Sequence, residues 1–361
     1  MGNGQLEEIV REFQVEGSVK SVIPLGNGLI NDTFLVRTQG FGTPDYVLQR
    51  INHHIFTDVD LLQRNIEAVT NHLRGKLLAE GVADVDRRVL RFIPTDNGKT
   101  YHFDGENYWR ISIYIPDTLT VDEVTPQSSY DCGRAFGRFQ QQLIDLNEPL
   151  GETIPDFHNM ELRLRQLREA MSNNVAGRLK EVTKELQLIE AHADEMCLAE
   201  QLHREGVLPK RICHCDTKVN NMLFDRDGNV LCIIDLDTLM PAFVFSDYGD
   251  FLRTAANTQP EDSPEIDHID FRWDIFEAFT RGYLESTASF LTPAERDLLP
   301  FSVVLFPFMQ AVRFLTDYLN GDTYYKTRYP EHNLIRTRNQ LRYFEIVESQ
   351  RLRMKEIIYY S

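Results

Sequence analysis

Long apolar runs are missing from this 361-residue chain. No stretch approaches the roughly 20 consecutive apolar residues that a membrane-spanning helix requires. Met1 to Val10 lack a basic patch followed by an apolar run, so no secretory leader is visible and a cytoplasmic location is expected. Cysteine is scarce. Five residues (Cys132, Cys197, Cys213, Cys215, Cys232) form an odd set without paired spacing, which suits free thiols in a reducing compartment. Cys213-His214-Cys215 has no second ligand pair at zinc spacing, which argues against a structural metal. Positive charge is short as well. A net charge of −17 and the lack of a basic stripe speak against nucleic acid as a partner. The same acidity means that a bound phosphate needs metal ions or a few local cations to neutralise it.

What is present is the composition of a globular protein, 42% hydrophobic and 26% charged. The length exceeds one ordinary core and suits two lobes. Up to about residue 115 the pattern is β-rich. Val19–Pro24, Asn31–Thr38 and Tyr46–Ile51 read as strands separated by glycine-bearing turns. A helical pattern follows, carried by Leu61, Leu62, Ile66, Val69, Leu73 and Leu77, with Asp58 or Thr57 as its expected N-cap. Arg88–Thr95 and Thr100–Phe103 flank Asp96-Asn97-Gly98, a hairpin signal, and Tyr108–Ile115 alternates as a further strand. From residue 116 to 361 helices dominate: Tyr130–Leu146, Leu162–Met171, about 178–205, about 273–283, 293–319 and about 333–358. One β interruption comprises Arg211–Cys213, Met222–Phe224 and Val230–Asp235. The expected fold is α+β, with an antiparallel β lobe bearing one helix (1–115) followed by a mainly α-helical lobe (116–361).

The β interruption carries the chemistry. His214-Cys215-Asp216-Thr217-Lys218-Val219-Asn220-Asn221 is followed, across a hairpin, by Ile234-Asp235-Leu236-Asp237. Phosphoryl transfer asks little covalent work of a protein; it needs aligned oxygens and neutralised charge. Asp216 is the candidate to accept the proton of an attacking hydroxyl. Asn221 and Asp235 supply hard oxygen ligands for magnesium against nucleotide phosphates. Lys218 is a cation able to offset charge in the transition state. Read without that chemistry, Asp216 and Asn221 are loop formers and Asp235 ends a strand. Asp237 suits either a second metal or a helix cap. Upstream, Gly26-Asn27-Gly28 between two strands fits a loop whose bare backbone approaches phosphate, or simply a tight hairpin.

These motifs resemble those of the aminoglycoside phosphotransferase/choline kinase-like family, whose H-x-D-x-x-x-x-N and Ile-Asp signatures fall on His214, Asp216, Asn221 and Asp235. The resemblance implies a bilobal protein-kinase-like fold, Asp216 as catalytic base, Asn221 and Asp235 as magnesium ligands, and Asp247 as a buried brace of the catalytic loop. Further blocks look like the bacterial N-acetylhexosamine 1-kinases. They are Gly26–Phe34, Tyr46–Asn52, Ile234–Pro241, Asp247–Arg253, Arg313–Asp322, Tyr324-Tyr325 and Tyr329–Leu334, spread over residues 20 to 340. That likeness implies ATP- and magnesium-dependent phosphorylation of the anomeric hydroxyl of an amino sugar, with an alcohol group as acceptor. Kinases of choline, homoserine or aminoglycosides are alternatives, as is a catalytically silent nucleotide-binding protein. On the nucleotide side, Gln49 stands near the place of the strand lysine of protein kinases. It is expected to face inward, with Arg50 outward; Glu67 on the next helix is either its partner or a surface side chain. Adenine is expected against the strand end Arg110–Ile115, including Tyr114. On the acceptor side, Arg313 and Asp317 share a helix face at i, i+4, where they either bind sugar hydroxyls or pair with each other. Tyr318 is a third candidate contact.

Overall fold

The computed structural model describes residues 3–26, 30–121 and 123–361, so Gly28 of the glycine loop lies outside the described residues. Two compact units are present. The first comprises 1–120, 145–155 and 222–240; the second comprises 121–144, 156–221 and 241–361.

The first unit is built on a five-stranded antiparallel sheet of β1 (Ser18–Pro24), β2 (Asp32–Gln39), β3 (Tyr46–Ile51), β4 (His102–Phe103) and β5 (Tyr108–Ile113), in the order β1-β2-β3-β5-β4. Because strand side chains alternate, β3 shows two different faces. Tyr46 and Leu48 join Val22, Val36, Trp109 and Ile111 in an apolar layer covered by Leu6, Ile9 and Val10 of a helix at Asn3–Arg11. That helix was not anticipated. Gln49 lies on the opposite face, directly across from Arg110 in the pairing of β3 with β5. The helix Val59–Ala79 starts where its sequence predicts, with the Asp58 carboxylate accepting the Leu61 N–H at 2.8 Å. Such a cap is worth about 1 kcal/mol.

One expectation fails here. Arg88–Thr95 is not a strand. Val85–Arg88 form a helical turn, and the following segment makes only isolated bridges, Phe92 to Ser112 and Thr95 to Phe13. Its apolar residues serve burial without a continuous ladder. The Asp96–Gly98 turn nevertheless forms, with Thr95 N–H on Lys99 O at 2.8 Å. The hairpin Met222–Phe224/Val230–Ile233 also belongs to this unit, held through paired hydrogen bonds of 2.9 Å between Leu119 and Phe224.

The second unit is helical. Pro126–Gln142 and Trp273–Thr287 cross in near backbone contact: a Cβ on Gly133 would stand 2.3 Å from Phe279 O, and one on Gly282 would stand 2.1 Å from Tyr130 O. Only glycine allows that approach. Leu299–Leu319 corrects the reading of apolar runs. It is long and apolar enough to cross a membrane by length and composition, yet 83% of its apolar window is buried inside the protein. A helix hydrophobic all round is one that its neighbours surround. It packs on Phe245–Ala255, an unanticipated helix, where Gly249 would meet Ser302 O at 2.6 Å if it bore a Cβ. The expected long helices at 178–205, 293–319 and 333–358 are each interrupted, giving Thr183–Met196 and Leu198–Arg204, Pro293–Asp297 and Leu299–Leu319, and His332–Ser349 and Arg351–Tyr360.

Candidate active site

The loop from His214 to Asn221 follows the short strand Arg211–Cys213 in the second unit and is shaped from beneath by Asp247, which is fully buried. The two Asp247 oxygens accept the N–H groups of His214 (3.1 Å) and Cys215 (2.8 Å), and its carbonyl accepts the Thr217 hydroxyl at 2.8 Å. Gln140 donates to the same carboxylate at 2.7 Å and in turn accepts the Tyr283 hydroxyl at 2.6 Å. Gln140 and Tyr283 ride on the two helices that the glycine contacts bring together. The close crossing is thus converted into a fixed carboxylate, and the carboxylate into a fixed loop. Burial pushes the Asp247 carboxyl above its ordinary range, against the pull of His214 and the loop N–H groups. Cys215 adopts φ +63°, an uncommon conformation for a residue with a Cβ, and the Asp247 contacts hold it there.

Asp216 projects from this loop with 24% of its side chain exposed. Its Oδ1 lies 2.5 Å from Lys218 Nζ, and its Oδ2 accepts from Asn221 Nδ2 at 3.0 Å. Burial raises the Asp216 carboxyl, but Lys218, His214 and the Asn221 amide together bring it below the usual value, so it is ionised at neutral pH. Lys218 is correspondingly raised: its burial is outweighed by Asp216 and Asp250. The arrangement is a carboxylate kept charged, partly open, and oriented by a cation and an amide. It can accept a proton from a hydroxyl placed before it. Asn221 Nδ2 is committed to Asp216, to the backbone O at 2.8 Å as well as to the carboxylate, which leaves Oδ1 as the amide's acceptor oxygen, the atom whose chemistry suits a hard cation.

Asp235 belongs to the first unit, where it adopts φ +58°, ψ +58° ahead of the turn Leu236–Thr238. The donor chemistry fits magnesium, a hard cation that takes few protein oxygens and completes its shell with water and phosphate. Among the described residues no cluster of three or more His, Cys, Asp or Glu is arranged to hold a metal, and a magnesium shared with phosphates needs none.

Among the residues expected on the nucleotide side, Gly26 has φ +70°, a value that glycine adopts without strain. Gln49 is tied to Thr33 Oγ1 (3.3 Å) and to Arg110 Nε (2.9 Å), not to Glu67, which accepts the Thr100 hydroxyl instead. Tyr114 donates its N–H to Asp45 O at 2.9 Å and lies under the Arg37 guanidinium. In the sequence Arg110 stands out only as part of a strand end. Its side chain is 3% exposed and forms an ion pair with Asp237 Oδ1 at 2.5 Å. The signal was a lone cation in the buried strand Tyr108–Ile113, where an unpaired charge is not tolerated.

Among the residues expected on the acceptor side, Arg313 Nη1 donates to Gln310 Oε1 at 3.2 Å, and its guanidinium lies over Phe157 (5.2 Å) and Tyr325 (5.8 Å). The i, i+4 ion pair with Asp317 is replaced by a different arrangement. The Asp317 carboxylate is buried and accepts the N–H groups of Thr323, Tyr324 and Tyr325 at 2.8–3.0 Å and the Asn333 amide at 2.9 Å. It shapes the loop that carries Tyr325. Tyr318 is buried, donating to Glu181 at 2.8 Å beneath Arg178.

Residues 21–284 match the sequence model of APH, the phosphotransferase enzyme family. Solved structures share the fold. An aminoglycoside phosphotransferase from Alicyclobacillus acidocaldarius has a TM-score of 0.63 at 12% identity, covering 98% of this chain and 96% of its own. Amicoumacin kinase hAmiN, solved with AMP-PNP and Ca2+, has a TM-score of 0.59 at 14% identity, with 96% and 94% covered. Choline kinase from Cryptosporidium parvum has a TM-score of 0.58 at 15% identity, with 99% of each chain covered. With its protein-kinase-like α+β fold and a match over most of its length, the chain belongs to the APH phosphotransferase enzyme family.

Proposed function

We propose that this phosphotransferase moves the γ-phosphoryl group of ATP to the anomeric hydroxyl of an N-acetylhexosamine, GlcNAc or GalNAc. The observation that carries the reading is the Asp216–Lys218–Asn221 constellation on a loop braced by Asp247. The sugar oxygen attacks phosphorus, the bond from phosphorus to the β,γ-bridging oxygen breaks, and ADP leaves. The hydroxyl proton passes to Asp216 Oδ. Lys218 keeps that carboxylate ionised and adds positive charge beside the transferring group. Asn221 Oδ1 and Asp235 would hold magnesium, which supplies neutralisation of the phosphate oxygens when bound. Gly26, Gly28, Gln49, Glu67 and Tyr114 are assigned to the nucleotide side. Arg313, with its aromatic bed, is assigned to the acceptor hydroxyls or acetamido group, and Asp317 and Tyr318 to the support of that surface. The sugar assignment is supported by the sequence blocks shared with N-acetylhexosamine 1-kinases, from Gly26–Phe34 to Tyr329–Leu334.

Purified protein incubated with ATP, magnesium and a panel of sugars and amino alcohols tests the reading. ADP release with an amino sugar, giving an acid-labile phosphate, is expected. Background release with both amino sugars removes the substrate assignment, and an acid-stable product points to a choline-, homoserine- or aminoglycoside-type acceptor. Asp216→Asn should lower kcat by a factor of about a thousand or more while leaving nucleotide affinity within about twofold. Undiminished turnover in that variant would remove Asp216 as the base.

A further inference from the structure

An Asp-x-Asp pair beside a phosphate site invites both carboxylates to be counted as metal ligands. In the first unit Asp237 is occupied otherwise. Its side chain is 4% exposed, its Oδ1 lies 2.5 Å from Arg110 Nη1, and its Oδ2 accepts from Asn31 Nδ2 at 2.6 Å. The Asp237 carbonyl accepts the Thr153 hydroxyl at 2.9 Å, and two residues on, Leu239 O accepts from Asn65 at 2.9 Å. Arg110 is itself clamped, donating to Gln49 (2.9 Å) and Gln63 (3.4 Å), and Asn31 Oδ1 accepts the Asn52 N–H at 2.9 Å. The turn that follows Asp235 is therefore fastened to Asn31 just ahead of β2, to β3 through Gln49, and to β5. Were Asp237 to turn toward a metal, a buried guanidinium would be left without its counter-charge, an outcome strongly disfavoured.

The geometry points to Asp237 as a positioning residue, and to Arg110 as the cation that withholds it from the metal. Together they hold the Asp235 backbone in its left-handed conformation and leave coordination to Asp235. This inference rests on the assignment of Asp235 to magnesium in the proposed function. Arg110 is informative because an arginine cannot ligate magnesium. Removing its positive charge would, by electrostatics alone, favour a nearby cation, whereas loss of positioning would weaken metal binding.

The test compares Arg110→Met, Asp237→Asn, the double variant and Asp235→Asn by two readouts. One is the melting temperature of the protein without nucleotide or metal. The other is the magnesium concentration needed for half-maximal AMP-PNP binding by calorimetry. Arg110→Met should raise that concentration about tenfold, in line with outer-shell changes at metal sites, and lower the melting temperature. The double variant should recover its melting temperature, because no unpaired charge remains, while its magnesium requirement should stay raised, because both anchors of the Asp235 turn are gone. An unchanged or lowered magnesium requirement in Arg110→Met overturns the inference. So does a double variant whose magnesium requirement falls within about threefold of the native protein's. If the single variants do not fold, the double variant alone decides by the same criterion. Asp235→Asn checks the underlying assignment separately. A native magnesium requirement there removes Asp235 as ligand, while the unfolding cycle still measures the Arg110–Asp237 coupling.

Discussion

Replacing Lys218 by methionine should move the acid limb of activity, and the size of the movement follows from the site. At the observed 2.5 Å, two unit charges in a medium of effective dielectric constant about 20 attract by roughly 6–7 kcal/mol. Lys218 keeps 35% of its side chain in solvent and Asp216 24%, so screening reduces this substantially. A charged hydrogen bond in such a setting contributes about 1.5–3 kcal/mol. The sign is fixed by the competing influences on Asp216: burial pushes its carboxyl up, and Lys218 is the strongest of the groups pulling it down. The native base is present above its depressed pKa and is lost only as pH falls through it. Without Lys218, burial prevails and protonation begins at higher pH. At 1.36 kcal/mol per unit, the acid limb of kcat/KM should move up by about 1–2 pH units. The assay is kcat/KM for the acceptor at saturating ATP from pH 4.5 to 8, with Lys218→Arg as the charge-preserving control. If Lys218→Met lowers kcat/KM by the same factor at every pH, Lys218 does not govern the ionisation of Asp216 and the reasoning fails.

Glu200 offers a stability test of the second unit: burial raises its carboxyl to about 7, against the pull of the Met160 N–H it accepts at 2.7 Å. A carboxyl raised on folding contributes stability that is present below about 4.5 and lost as pH rises through about 7. Glu200→Gln should therefore be neutral in acid and stabilising by up to about 3 kcal/mol above pH 7 in urea unfolding; equal stability of the two proteins at pH 8 would contradict this. Asp317→Ala removes the acceptor of three backbone N–H groups and the Asn333 amide, and should cost about 2–3 kcal/mol and speed amide exchange at Thr323–Tyr325. Unaltered exchange there would mean that the loop is held by other contacts.

Much of the local architecture could be read from residue order. The strand Tyr46–Ile51, the Asp58 cap, the Asp96–Gly98 turn and the hairpin after Asn221 are written in alternation, capping and turn chemistry, which act over a few residues. The single α-helices beyond them are less legible at their ends. The breaks at Cys197, Leu298 and Gln350 leave helical propensity almost unchanged and are made by how each segment packs. The helix Asn3–Arg11 escaped notice because its apolar face acquires a purpose only when β1, β2, β3 and β5 form the layer it covers.

At the proposed site, residue types and spacing mark Asp216, Lys218, Asn221 and Asp235 as candidates for phosphoryl chemistry, because that chemistry demands oxygens and a cation within a few residues of a strand end. Which charges are spent inside the protein was decided by tertiary structure. Asp317 sits at helical spacing from Arg313, yet four donors from the following loop and helix claim it. Asp237 looks like Asp235 in sequence, yet an arginine 127 positions earlier takes one oxygen and Asn31 the other. A buried charge goes to whichever partner folding places beside it, and partners so distant in the chain leave no mark in local pattern.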